Sequence, residues 1–572
     1  MNKNIIVLIL GLLSAFGLHA QALQDTVLTR QLELQREFNP TLQDANKINS
    51  LPVAREPQVR KANTGYAPWT TRATPPIEIA LSQPSKIMTD IPYNLQRGYV
   101  KLNAGSYANI DGALGIKFID SETDKVNFMF LHNSSNGNID YNQGENLDKM
   151  KMKYMDNFAK LNFKHIFEAS EFDINASFLH SQFNYFGNNF GAAERIHNDK
   201  NQALSKFSLK ASLHNTQPQP INYNGSFSYN YFTTKYGRTL DDESMGGSHV
   251  DANIDLNKSF IGGDNLLGIK GEFTGVFYDE ISTLDEGDKI SDFIMVDANP
   301  YIHFEGFNWK VRLGANLDFV FDDENKFYVS PNVALSTLIA ENTSLYLNVM
   351  GGVNKNTYLD MYRESRYLLP NTIVKHSNTP IAIDGGAKIG AVDGFRIDIF
   401  GGYKKTKDEH FLVLQSQPQY QEFLKPVFGD LTHSHIGARV HSNIWSPLDV
   451  TVEVKKNFYS VSKIKGLDAE PTELEAWNKP GLEVDINATF SVTEDLKLML
   501  GYYFANERWS IDKGESIKMD DINNLSAGAL YNVHKMFTLN LKANNLLNQT
   551  YDMWYGHPAQ GISLMGGFTF KF

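Results

Sequence analysis

The chain has no cysteine. That absence excludes structural disulfides, thiolate metal centres and the lipid-modified N-terminal cysteine of a lipoprotein. Long apolar runs are missing too, apart from residues 5–18. That run follows Lys3 and precedes Ala20, Gln21 and Ala22, the charged, apolar and small-residue order of a secretory signal peptide. It is too short and too early for a retained spanning helix, so residues 1–22 are expected to be a signal that is cleaved on export. Positive charge is in deficit: a net charge of −12 and a pI near 5.7 argue against nucleic acid as a partner, because phosphate contacts need a basic surface. There is no Gly-x-Ser-x-Gly elbow, no Gly-Lys dipeptide for a phosphate loop and no His-Glu-x-x-His motif, so neither an enzyme nor a cofactor is expected.

What the chain does have is alternation. From about Gly98 onward, segments of some ten residues place apolar and polar side chains on opposite faces. This is the pattern of a strand with lipid on one side and a polar lumen on the other. In one segment Phe207, Leu209, Ala211 and Leu213 oppose Lys206, Ser208, Lys210 and His214. Val250, Ala252, Ile254 and Leu256 oppose Asp251, Asn253, Asp255 and Asn257, and Val484, Ile486, Ala488 and Phe490 oppose Glu483, Asp485, Asn487 and Thr489. A soluble sandwich also alternates, so the connections must discriminate.

The connections run short, long, short, long. Tight turns fall at 121–125, 169–173, 215–220, 261–265, 304–308, 340–343, 392–395, 446–449, 493–496 and 533–536. Long polar stretches fall between them at 133–152, 186–202, 234–248, 279–292, 354–380, 406–431, 462–481 and 506–521. Acidic residues crowd into such segments, as at 241–243, 285–288, 322–324 and 468–475, and read as solvated loops. Short turns below and long loops above predict an all-β protein, a transmembrane antiparallel β-barrel of about 22 strands spanning 98–572. Aromatics at strand ends (Phe183, Tyr185 and Phe186; Tyr229, Tyr231 and Phe232; Tyr502, Tyr503 and Phe504) read as membrane-interface girdles.

The last strand carries Phe568, Phe570 and the terminal Phe572 on one face, as an outer-membrane assembly signal does. Together with Asn545-Leu546-Leu547-Asn548, Tyr551, Gly556, Pro558 and Gly561, this end resembles the C-terminal box of TonB-dependent receptors. The resemblance implies a 22-stranded barrel in the outer membrane of a Gram-negative cell, with lipid, the barrel-assembly machinery, and TonB or other envelope proteins as partners. It also implies the solute transport of that family. The N-terminus departs from the family. Residues 23–97 are too few for its plug and hold eight of the chain's 20 prolines, which remove ladder donors and fix φ. A short, Pro-rich, extended periplasmic segment is expected there. Within it Asp25, Thr26, Val27, Leu28 and Thr29 faintly resemble the short box such receptors offer to TonB.

A barrel this wide needs a seal. The Pro-rich segment, inward-folding loops and a partner protein are the options. His433 and His435 share a strand face near Asp430 and read as hydrogen-bonded surface residues rather than metal ligands. Trp477, Trp509, Trp554 and Tyr555 fall in long connections and are expected to face the exterior, where they would offer stacking surfaces to a ligand. Two functions stay open: a plug-less receptor-transporter, and a scaffold or accessory subunit of a secretion, surface-display or barrel-assembly machine.

Overall fold

A computed structural model describes residues 96–572, except 144–145, 187–200, 239–242, 261–264, 280–289, 323, 415–422 and 468–469. Twenty-two strands form one antiparallel sheet. Its first strand, Gly98–Gly105, pairs on one side with Ile110–Asp120 and on the other with the last strand, Ser563–Lys571. The sheet therefore closes on itself and leaves no edge unpaired. Closure runs to the final residue: the Gly98 N–H donates to the Phe572 carbonyl at 2.8 Å, and the Phe572 N–H returns to Gly98 at 2.9 Å. Glycines let the seam strands approach, since a Cβ on Gly105 or Gly567 would strike the backbone of the facing strand.

The alternation read from the sequence sets the two faces of this wall. Phe207, Leu209 and Leu213 stand exposed on the outside, as do Ile254, Leu267 and Ile269. A closed ring of exposed apolar side chains around a folded chain is the lipid belt of a transmembrane barrel. The partner positions point inward and hydrogen-bond to one another. Asn162 bonds Asp173 and Asn175, and Asn299 bonds Asn316. A one-residue slip would exchange the two sets, so the register is strongly fixed.

The short connections, such as those between Ala340 and Thr343 and between Val392 and Phe395, share one end with both barrel termini. The long connections occupy the other end. Two stretches expected to be long loops are largely strand. Residues 133–152 lie mostly in a tall hairpin, Asp124–Gln143 with Asn146–Ile166, and 406–431 lies mostly in Phe395–Leu414 and Leu424–Ser442. Above the lipid the outward face becomes polar, so the apolar positions move to the inside. Met150 and Met152 are buried while Lys149, Lys151 and Lys153 are exposed. The girdle aromatics divide by the same rule. Tyr231 faces outward, whereas Phe183, Tyr185, Phe186, Phe232 and Tyr503 are buried inside, under the loops. The Asp25 to Thr29 segment, with nearly all of the Pro-rich region, lies outside the described residues.

Candidate functional site

The connection at 355–376 joins the thirteenth strand, Thr343–Asn354, to the fourteenth, Ser377–Val392. It does not extend into solvent. It opens with Lys355, whose Nζ reaches the inward carboxylates of Asp251 (3.1 Å) and Glu272 (2.8 Å) and the Thr274 hydroxyl. A single α-helix, Tyr358–Glu364, follows. A capping box starts it: the Thr357 hydroxyl accepts the Asp360 N–H, and the Asp360 carboxylate accepts the Thr357 N–H.

Seven residues cannot hold a helix in water alone, so packing holds this one. Tyr358 (1% exposed) stacks on Phe232 with centroids 5.7 Å apart. Leu359, Met361 and Leu368 join it in a cluster with Leu204, Leu412, Leu424 and Trp554. Each such apolar side chain contributes about 1.5–3 kcal/mol on burial.

The far side of the loop decides its geometry. Arg366 donates to both carboxylate oxygens of Asp156, at 3.2 and 2.9 Å, and lies 4.7 Å from the Tyr154 ring centre. The Tyr362 hydroxyl donates to Ser181 at 3.3 Å. Asp156 and Ser181 face the lumen from the fourth and fifth strands. The fourth strand lies nine places around a ring of 22 from the loop's origin, close to the opposite wall. The loop therefore crosses the lumen. Further contacts complete its docking. His410 Nε2 meets Glu364 at 2.6 Å, Tyr367 stacks on His557 at 4.5 Å, and Leu369 N–H donates to the Leu424 carbonyl at 2.8 Å. Burial pushes the Tyr362 phenol up to about 12. For Arg366 burial works against the charge, but Asp156 beside it prevails and its pKa rises.

The connection after Asn544 packs on this loop through Trp554 and His557, and the 507–521 connection ties to it in turn through Arg508. Arg508 is completely buried and donates to three carbonyl oxygens: Asp552 at 2.8 Å, Met553 at 2.6 Å and Asp520 at 3.4 Å. Burial lowers its pKa to about 10. Asp552 accepts the Gly556 N–H at 2.7 Å, yet burial outweighs that bond and pushes its carboxyl up to about 6.

The tryptophans expected to face the exterior are turned inward. Trp477 is 1% exposed, set among Phe411, Val413, Val427 and Ile511, with its indole N–H donated to Ser516 at 3.2 Å. Trp554 is buried against the 355–376 loop, while Trp509 and Tyr555 are half-buried beside these clusters. Their large apolar rings find more contact in the loop core than in water. His433 is likewise interior, not on the surface. It is buried in the lumen wall, 3.0 Å from Asn457 and stacked between Tyr459 and His435. Asp430 turns away to Lys463 at 3.0 Å.

The C-terminal box holds the last long connection in place. Asn545 donates to the carbonyls of Gln549 and Gln560, and Asn548 accepts the Ile562 N–H. Phe570 and Phe572 face lipid from the closing strand, and Phe568 stacks on Phe537.

No protein-family model and no curated protein matches the sequence. The fold is nonetheless shared. The ferric-catecholate import receptor Fiu from E. coli K12 superposes with a TM-score of 0.60 at 10% identity, over 84% of this chain and 82% of that one. The copper transporter OprC gives 0.61 at 12% identity, over 83% and 80%. The FrpB iron transporter of Neisseria meningitidis gives 0.62 at 10%, over 83% and 81%. In architecture the chain is thus a 22-stranded barrel like that of the TonB-dependent outer-membrane receptors.

Proposed function

We propose that this chain is an outer-membrane transport barrel gated from the outside by its own 355–376 loop. One observation carries the reading: the loop runs from the thirteenth strand to Asp156 near the opposite wall and docks there through a charged pair. Docking by polar contacts at Lys355, where the loop starts, and at Glu364 and Arg366, where it reaches across, gives the loop discrete attachments that a competing solute or partner can replace. The fold shared with import receptors and a copper transporter supports the direction of traffic. In this reading residues 1–22 are removed on export and residues 23–97 form no family-type plug. Lipid, the barrel-assembly machinery and TonB are the partners, and no catalysis is involved.

The test is conductance and uptake. A barrel with residues 356–374 replaced by a short Gly-Ser linker should pass ions in planar bilayers where the native chain does not. Energised uptake should require TonB and the Asp25 to Thr29 segment. A closed trace from the shortened barrel would end the gating reading.

A second reading, a scaffold subunit of an envelope machine, is favoured by the burial of Trp477 and Trp554, which leaves those two rings with no stacking face for a solute. It predicts stable co-purification with other envelope proteins and no uptake defect when TonB is removed.

A further inference from the structure

The tall hairpin changes chemistry along its outward face. Climbing from the short-turn end, the outward positions of its second strand read Phe163, Leu161, Ala159, Asn157, Met155, and then Lys153, Lys151 and Lys149. All three lysines are exposed. Opposite them in register stand Asn136, Asn138 and Asp140, also exposed. The six positions thus carry three cations and a single carboxylate, in a chain whose net charge is −12. A general surplus of basic residues does not account for the column.

Its orientation is enforced from the other side. Ile139, Met150 and Met152 pack inward against Phe186, so a register slip that turned the lysines inward would expose this cluster. Alternate residues on a strand stand roughly 6.6 Å apart, so the three ammonium groups form a ladder about 13 Å long. Lys153 lies six residues beyond Ala159, or about 20 Å along the strand and roughly 15 Å in height at a tilt near 40°. That level is above the acyl zone and among headgroup sugars.

We propose that the column Lys149, Lys151 and Lys153 binds the phosphate- and carboxylate-bearing sugars of the outer-leaflet glycolipid, lipopolysaccharide. The proposal rests on the reading that the long connections face the cell exterior. Asn136 and Asn138 flank the ladder with amides able to donate to phosphate or sugar oxygens, and Asp140, level with Lys149, bounds the ladder at its top by repelling further anionic groups. A glycolipid held here would brace the hairpin whose inner face packs beside Tyr367 of the lumen-crossing loop.

The full chain, purified in detergent, is titrated with lipopolysaccharide micelles, and its folded state is checked by heat-modifiable migration. A lysine close to an anionic surface strengthens binding about fivefold, so K149Q/K151Q/K153Q should bind on the order of 100-fold more weakly. The triple arginine variant should bind like the native chain, and the native affinity should fall with added salt. Phosphate-stripped lipopolysaccharide should bind the native chain at least tenfold more weakly than the intact form, a comparison that stands even if the triple glutamine variant does not fold. Native affinity in the folded glutamine variant would overturn the proposal. Indifference to phosphate removal, or equal affinity for phosphatidylglycerol vesicles, would overturn it as well. Cell fractionation separates the two claims: a chain outside the outer membrane sinks the location, whereas micelle binding reports on the ladder alone.

Discussion

The docked loop can be loosened at its far end by Arg366→Ala. The substitution removes two charge-assisted hydrogen bonds to Asp156 and the contact over the Tyr154 ring. Bonds to charged groups are worth about 1.5–3 kcal/mol each when buried. Arg366 and Asp156 keep side-chain exposures of 28% and 26%, however, and solvent screening cuts the pair to about 2 kcal/mol. The cation over the ring adds about 1 kcal/mol. A loss near 3 kcal/mol raises the population of the undocked loop on the order of 100-fold. The cysteine-free chain allows a clean assay. Leu359→Cys places a thiol where the side chain is 5% exposed, and Ile373→Cys places one where it is 48% exposed. With a membrane-impermeant maleimide on intact cells, the thiol at position 359 should react slowly in the native background and about 100-fold faster with Arg366→Ala, provided that reclosure outpaces labelling. The thiol at position 373 should react at one rate in both. If labelling of the Leu359→Cys chain is no faster in the Arg366→Ala background, the charged pair does not hold the loop.

Three further outcomes are expected. Deleting Phe572 removes the final pair of main-chain bonds at the seam with Gly98 and should lower the yield of heat-modifiable barrel in the outer membrane; normal yield would deny it an assembly role. Trp477→Ala should cost about 3–5 kcal/mol of loop packing and speed proteolysis of the 466–481 and 507–521 connections on intact cells. Trp445→Ala, at a 59% exposed turn position, should leave that proteolysis unchanged. Asp552 pairs with Pro558 and Trp554 with His557 in a small hairpin of the last long connection, and the Asp552 carboxyl, raised to about 6, binds its proton more readily in this hairpin docked than opened. Stability of that hairpin should therefore rise as pH falls from 7 toward 4, and be lowest above pH 6. Amide exchange across 552–558, corrected for intrinsic rate, should show this trend, and Asp552→Asn should flatten it.

The barrel was legible because lipid and lumen impose a period of two over long stretches, as at Phe207 to Leu213 and Val250 to Asn257. The parity of the strands followed from the alternation of short and long connections. The tall hairpin was missed because its period survives with its sense reversed. Met150 and Met152 turn in where Leu161 turns out, and a polar outward face looks like a loop. The lumen-crossing loop left a fainter trace. Its helix is too short to show a 3.6-residue period, and its buried residues, Tyr358, Leu359 and Met361, resemble any aromatic-rich connection. The capping pair Thr357 and Asp360 was the available local signal. Nothing local announces that Arg366 will meet Asp156, a residue 210 positions away. The inward turn of Trp477 likewise depends on partners from two wall strands (Phe411, Val413 and Val427) and from the 507–521 connection (Ile511 and Ser516).

The lumen-crossing loop leaves from one strand and returns to the next, so lifting it breaks no rung of the barrel wall and releases no subunit. Undocked, it stays tethered within reach of its own contacts, at an effective concentration in the millimolar range for a short flexible connection. Closure is therefore a one-molecule event, indifferent to expression level and to dilution across the cell surface. Whatever displaces Arg366 from Asp156 must keep acting, because the loop returns once the competitor leaves.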